Sequence, residues 1–299
     1  MKSGKACGED SIPGEVLKAC KEVLLPELYK LLCLIWQEGA VPQELRDAKI
    51  VTLYKNKGDK GDCNNYRGIS LLSIVGKVYA RVVLKRLQIL AERVLPESQC
   101  GFRGGRSTMD MIFTLRQLQE KCREQHVPLY MAFIDLTKAF DTVSRSALYQ
   151  VLESIGCPPK LLSIIASFHD DMKAKVQFDR STSDSFEIKV GVKQGCVLAP
   201  TLFGIYLAAL LKFAFGEGES EGIYVRTRTD GDLFNIQRLR AKSKTTVVLL
   251  RELLFADDSA LVSHSNAGLQ SLMDALERAC KLYGLTISVK KTEVMFQGT

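Results

Sequence analysis

The stretch Leu253-Leu254-Phe255-Ala256-Asp257-Asp258-Ser259-Ala260-Leu261-Val262 constrains the fold more than any other part of the chain. Two apolar, β-prone runs flank a pair of adjacent carboxylates, a pattern that predicts a β-hairpin with the aspartates at its tip. A hairpin turn needs only one Asp, and adjacent like charges repel. A doubled carboxylate between two buried strands therefore makes most sense with a cation beside it. Hard divalent ions such as Mg²⁺ take carboxylate oxygens together with substrate phosphates. An isolated Asp-Asp pair is more often an ordinary turn, so Asp257 and Asp258 need partners elsewhere in the chain.

One such partner ends another apolar run. Leu129-Tyr130-Met131-Ala132-Phe133-Ile134 reads as a continuous buried strand that stops on Asp135. A carboxylate at the C-terminal end of a buried strand sits where α/β sheets put their chemistry. As a lone residue Asp135 would equally read as a helix cap.

Charge supplies the next constraint. The net charge is +7, and it is unevenly placed: residues 46–106 hold 13 Lys/Arg against 5 Asp/Glu. A basic segment in a chain with clustered carboxylates suits a polyanionic partner, although a solvated basic face has the same composition. Nine cysteines are scattered without a C-x-x-C pair, beside only three histidines. That pattern argues against a zinc site and for reduced thiols, hence an intracellular protein. No apolar run is long enough to span a bilayer, and no membrane partner is expected.

Several polar segments interrupt the apolar periodicity. Ile50–Tyr54 and Tyr66–Leu72 read as paired strands joined by the loop Lys55-Asn56-Lys57-Gly58-Asp59-Lys60-Gly61-Asp62. With Arg67, this basic strand-loop-strand could hold a triphosphate or be a plain hydrophilic hairpin. Helical spacing covers residues 16–35, with Pro26 expected to break it into two helices, and returns over Ile74–Val94. Gln99-Cys100-Gly101-Phe102-Arg103-Gly104-Gly105-Arg106-Ser107-Thr108 is a glycine-rich turn. Ser107 or Thr108 should cap the next helix, and Arg103 and Arg106 offer phosphate contacts. A hairpin is expected over residues 175–192. Gln194-Gly195 then opens an apolar helix that runs to about Phe215. Residues 226–244 form a second basic patch. An amphipathic helix with Leu269, Leu272, Leu276 and Leu282 closes the pattern before Lys290-Lys291.

Asp135 on its strand, Gln194-Gly195 before a helix and Phe255-Ala256-Asp257-Asp258, in that order and with Tyr66-Arg67-Gly68-Ile69-Ser70-Leu71-Leu72 upstream, form a specific set. The chain resembles the reverse transcriptase of non-LTR (LINE-type) retrotransposons, from Lys5 almost to the last residue. The resemblance implies an α+β fold: right-hand polymerase fingers over residues 1–125, and over 126–299 a palm with an antiparallel sheet flanked by helices. It implies that Asp135, Asp257 and Asp258, with the backbone carbonyl of Leu136, bind two Mg²⁺ ions, Mn²⁺ being the alternative. Phe140 would lie under the incoming sugar, and Gln194 and Gly195 would frame nucleotide and template. Arg67 and a fingers lysine, Lys55 or Lys57, would bind the triphosphate, and Lys291 would neighbour the leaving pyrophosphate. The implied partners are an RNA template, a DNA primer and a dNTP. The implied reaction is RNA-directed DNA synthesis. The chain stops at Thr299, just past the palm, so the helical thumb is expected to be missing, as is an N-terminal endonuclease-like region. The other reading is a non-catalytic nucleic-acid-binding remnant of a retroelement.

Overall fold

The computed structural model describes residue 4 and residues 6–179, 181–216, 221–228 and 245–298. Most of the basic patch over 226–244 lies outside the described residues. Among those described, the strands in chain order are β1 (Ala48–Tyr54), β2 (Tyr66–Leu71), β3 (Leu129–Ile134), β4 (Lys173–Phe178), β5 (Ser181–Thr182) and β6 (Phe186–Glu187). They continue with β7 (Ile223–Arg228), β8 (Thr245–Leu250), β9 (Glu252–Phe255), β10 (Asp258–Ser263) and β11 (Glu293–Gln297). Two compact units hold them, each discontinuous in sequence.

The first unit comprises Met1–Leu95 and Phe140–Tyr206. Its sheet has the order β2-β1-β4-β5, with β6 also on β4. The β1–β2 hairpin is antiparallel and sets Leu53 opposite Arg67, whereas β4 joins β1 in parallel. The helix Ile74–Val94 starts where Ser73 accepts the Gly76 N–H at its side-chain oxygen. Its apolar stripe buries Tyr79, Val83 and Leu87 completely or nearly so, and the Tyr79 ring lies 5.7 Å from that of Phe168. Side chains of this size contribute about 1.5–3 kcal/mol each on burial.

Two expectations need correction here. Pro26 lies inside the continuous helix Lys21–Glu38, and the break comes earlier, at Cys20. The helix continues through Pro26 although the ring removes the bond to the Glu22 carbonyl and crowds that oxygen. The hairpin foreseen over 175–192 is realised as β4 with two very short partners. Its last part is irregular instead, held by bonds such as Gly191 N–H to the Val143 carbonyl.

The second unit comprises Pro96–Ala139 and Leu207–Thr299. Its main sheet has the order β11-β3-β10-β9, antiparallel throughout, and β7 pairs with β8 in a separate ribbon. β3 is central, which explains its unbroken apolar sequence: Leu129, Met131 and Ala132 are fully buried on opposite faces of the strand. The helix Asn266–Leu282, capped by Ser265, packs on β10 and β3 through Leu269, Leu272, Leu276 and Ala279. Thr108–Glu124 is a helix begun by a reciprocal Ser107–Asp110 capping box. Among the described residues no helix is long and apolar enough to cross a membrane.

Candidate active site

The register of the second unit's sheet gathers the carboxylates. β3 and β10 pair with Ser259 opposite Ile134, so Asp135 and Asp258 stand at the adjoining ends of neighbouring strands. β9 and β10 pair with Phe255 opposite Asp258, which leaves Ala256 and Asp257 as a two-residue turn. Ala256 takes a φ of +61°, the left-handed conformation that tight hairpin turns require. The hairpin expected from the sequence is thus present, with Asp257 in its turn and Asp258 opening β10.

A second segment is laid along the end of β3. The Thr137 N–H donates to the Thr286 carbonyl at 2.8 Å, and the Ser288 N–H donates to the Asp135 carbonyl at 2.8 Å. Leu136 and Ile287 form an antiparallel bridge between these contacts, with the Leu136 side chain buried. A turn from Ser288 then brings Lys291 round, and its Nζ donates to Asp135 Oδ2 at 2.8 Å. The Lys291 end of this pair is largely exposed, so its value lies in positive charge beside the carboxylates more than in stability.

Burial pushes the Asp257 carboxyl above the ordinary carboxylate range. Asp258 and Asp135 push it the same way, and the backbone N–H of Asp257 and, to a smaller extent, Lys291 oppose them. That combination tests the fit to a divalent cation: partly buried oxygen donors, destabilised by mutual repulsion, are the donor set a hard ion relieves. Among the described residues no three His, Cys, Asp or Glu side chains stand ready as a metal cage. Mg²⁺ sites completed by substrate phosphates draw only one or two carboxylates from the protein, so the donor chemistry fits the ion without a cage.

Most of the other candidate residues belong to the first unit. Gln194-Gly195 lies against β2: the Ser70 N–H donates to the Gln194 carbonyl at 2.9 Å. Gly195 has φ +102°, and a Cβ there would come within 2.8 Å of the Ser70 carbonyl oxygen, so glycine is required. Arg67 is exposed on β2. Lys55 is exposed too and folds back to donate to the Asn64 carbonyl at 2.7 Å, and Lys57 is exposed in the loop. Phe140 is half-buried and stacked on Phe203, centroids 4.7 Å apart. In the second unit, Arg103 donates to the Pro96 and Gln99 carbonyls, and Arg106 pairs with Glu97. Both arginines therefore brace their own loop.

Three buried polar residues gave no clear signal in the sequence. Gln99 is 2% exposed, and its amide grips the Ala256 turn. Lys193, next to Gln194, buries its ammonium group against the Arg46 carbonyl, and burial brings its pKa down to about 8. His169 is buried with Nδ1 2.9 Å from the Ile165 carbonyl oxygen. Burial first, and then Lys193, lowers its pKa to about 3. Gln99 opens the glycine-rich turn, but nothing in that stretch marks its side chain as buried, and burial of a single polar residue is not visible in periodicity.

An antiparallel sheet whose neighbouring strands end on carboxylates, together with a basic hairpin unit elsewhere in the chain, is the α+β fold of polymerase fingers and palm, and solved structures share it. An apo telomerase from Candida tropicalis matches over 91% of this chain and 55% of its own, with a TM-score of 0.59 at 16% identity. A telomerase from Candida albicans, in complex with a telomeric RNA fragment, matches over 92% and 46%, with a TM-score of 0.58.

The chain belongs to the reverse transcriptase (RNA-dependent DNA polymerase) family, whose sequence model matches residues 55–298. It is 24% identical over 296 residues to the RNA-directed DNA polymerase from mobile element jockey of Drosophila melanogaster, covering 96% of this chain and 29% of that protein. It is 31% identical over 218 residues to the putative 115 kDa protein of the type-1 retrotransposable element R1DM of the same fly, covering 71% and 20%. The resemblance to non-LTR retrotransposon reverse transcriptases therefore holds, and the chain spans under a third of the length of these two relatives.

Proposed function

We propose that this chain is the catalytic core of an RNA-directed DNA polymerase, joining dNTPs to a primer 3′-hydroxyl on an RNA template. The observation that carries the reading is the meeting of Asp135 and Asp258 at adjoining strand ends, with Asp257 in the turn and Lys291 on Asp135. In this reading residues 1–125 serve as fingers and 126–299 as palm. Compactness divides the chain differently, because β4 pairs with β1.

Asp135, Asp257, Asp258 and the Leu136 carbonyl would hold Mg²⁺, two ions in the full site. When bound, the ions would lower the pKa of the primer hydroxyl and neutralise charge on the departing pyrophosphate. The residues of the chain supply orientation and charge. Lys291 places a cation beside Asp135, where it can offset phosphate charge. Arg67, with Lys55 or Lys57, supplies donors for the triphosphate. The Gln194-Gly195 turn presents backbone without a side chain in the way, suited to close approach by a nucleotide.

A partner with a phosphate backbone is supported by a groove of about 1070 Å³ in the first unit. Lys77, Arg81 and Lys85 lie along one helical stripe over an apolar floor that includes Ile12, Leu71 and Val78. Arg103 and Arg106 offer further phosphate contacts in this reading, once released from their loop partners. Sequence-independent binding that weakens steeply with salt is the expected behaviour.

The test is dNTP incorporation on a primed RNA with Mg²⁺ supplied or chelated, Mn²⁺ serving as a comparison. No incorporation with the ion present, alongside intact nucleic-acid binding, would favour the remnant reading. Phe140→Ala sharpens the test. If Phe140 gates the sugar, ribonucleotide use rises relative to deoxyribonucleotide use. If its ring only packs on Phe203, the variant loses about 3–5 kcal/mol of stability with selectivity unchanged.

A further inference from the structure

The turn that carries Asp257 is held from outside the hairpin. Residues 98–100 run beside β9: the Leu254 N–H donates to the Ser98 carbonyl at 3.0 Å and the Cys100 N–H to the Leu254 carbonyl at 2.9 Å. This added strand ends where β9 ends, and there the Gln99 side chain takes over. Its Oε1 accepts the Ala256 N–H at 3.0 Å and the Gly101 N–H at 2.8 Å, and its Nε2 donates to the Ala256 carbonyl at 3.2 Å. Both backbone polar groups of one residue are thus satisfied by one buried amide. That residue is Ala256, whose φ of +61° is sparsely populated without glycine.

Gly101 shows how closely the two segments meet. A Cβ on it would lie 2.2 Å from the Ala256 nitrogen, a separation no side chain could accept. A buried amide merely filling space would need neither the paired bonds to Ala256 nor this approach. We infer that Gln99 is a positioning residue: it fixes the left-handed Ala256 conformation and thereby aims the carboxylates of Asp257 and Asp258. The catalytic consequence rests on the polymerase reading above; the structural one does not.

The experiment joins two readouts on Gln99→Met, which keeps the side chain's length and removes its hydrogen bonds. Amide hydrogen exchange, followed by peptide mass spectrometry, reports the 254–258 segment directly. Exchange there should rise at least roughly tenfold, while β3 and the Asn266–Leu282 helix keep their protection. Nucleotide incorporation should lose roughly 10- to 100-fold in kcat, with the Kd for primed RNA within about twofold of the parent. Should Gln99→Met fail to fold, Gln99→Asn, one methylene shorter and still polar, gives the same two readouts. Unchanged exchange at the turn in a folded variant overturns the proposal. So does a loss confined to nucleic-acid affinity with kcat retained. If the parent protein incorporates no nucleotide, the polymerase reading falls and the exchange result alone decides the role of Gln99.

Discussion

The two units bury ionisable groups of opposite kind. The second unit draws carboxylates together, so that Asp257 is partly buried within reach of the charges of Asp258 and Asp135. The first unit buries bases: the Lys193 ammonium against the Arg46 carbonyl, and the His169 ring facing the charges of Lys193 and Arg145. Each unit keeps groups whose charged forms burial disfavours. The difference lies in how the tension is met. In the first unit the chain provides internal acceptors, the Arg46 and Ile165 carbonyls. In the second the backbone N–H of Asp257 and the Lys291 ammonium answer the carboxylates, the lysine from an exposed position. The first arrangement meets the Lys193 ammonium and His169 Nδ1 from within, though His169 Nε2 stays without a hydrogen-bond partner among the described residues, whereas the second is the more open of the two, its lysine standing largely in solvent.

The largest break in this comparison should come from Asp257→Asn. The neutral amide removes charge from a cluster that repels itself, so the fold should be kept or slightly stabilised. Incorporation should fall by roughly 10³-fold or more if the carboxylate serves the transition state. A melting curve beside a single-turnover assay checks both halves. A folded variant with near-parent turnover would remove Asp257 from the chemistry.

Next in size is Lys193→Ala in the first unit. It opens a void and leaves the Arg46 carbonyl without its donor, for a loss of about 3 kcal/mol in chemical denaturation. Lys193→Met keeps the stem and should lose much less. Because the native Lys193 pKa lies near 8, below its ordinary value, the unfolded chain holds that proton more tightly from about pH 8 to 10.5. Stability should rise with pH across that window in the parent and not in either variant.

These two sites also mark how far the sequence could be read. The hairpin, the strand ending on Asp135 and the helices at Ile74–Val94 and Asn266–Leu282 were legible because their periodicity and their charges coincide with the chain's local geometry. The place of Asp257 in the hairpin turn was legible because two apolar, β-prone runs flank the carboxylate pair. Lys193 and Gln99 were not, because each acts through a carbonyl or amide distant in sequence, Arg46 for one and Ala256 for the other. Pro26 was misread for a related reason. The position of the helix start at Cys20 decides whether a proline breaks a helix or sits near its beginning, and no residue around Cys20 announces that start. Arg103 and Arg106 were read as phosphate contacts, and the loop carbonyls and Glu97 that partner them in the structure had no signal in the sequence.

A more gradual effect, spread over several pH units, should come from acid acting on the first unit. His169 has a folded pKa of about 3 against an ordinary 6.5, so between those values the unfolded chain binds the extra proton. Its contribution to stability is complete above about pH 6.5 and declines as pH falls toward 3, by about 1.4 kcal/mol for each pH unit at most. His169→Gln should flatten the slope of stability against pH in this range. An unchanged slope would show that other groups govern acid unfolding.

The smallest expected effect is the most direct test of the open arrangement in the second unit. A divalent cation that binds the folded carboxylates, and not the unfolded chain, must stabilise the fold by mass action. At a free concentration roughly ten times its dissociation constant the gain is about 1.4 kcal/mol, a shift of a few degrees in a melting curve. If the ion sits on these carboxylates, protection from hydrogen exchange on adding Mg²⁺ should concentrate in residues 134–137 and 254–259, the segments that carry Asp135, Asp257 and Asp258. Asp257→Asn should blunt the shift, and Lys291→Met should enlarge it, because the ammonium on Asp135 competes with the ion for the same oxygen. A shift equal in parent and Asp257→Asn would place the ion elsewhere. A shift reduced by Lys291→Met would mean that the lysine helps to hold the site open, not that it fills part of it.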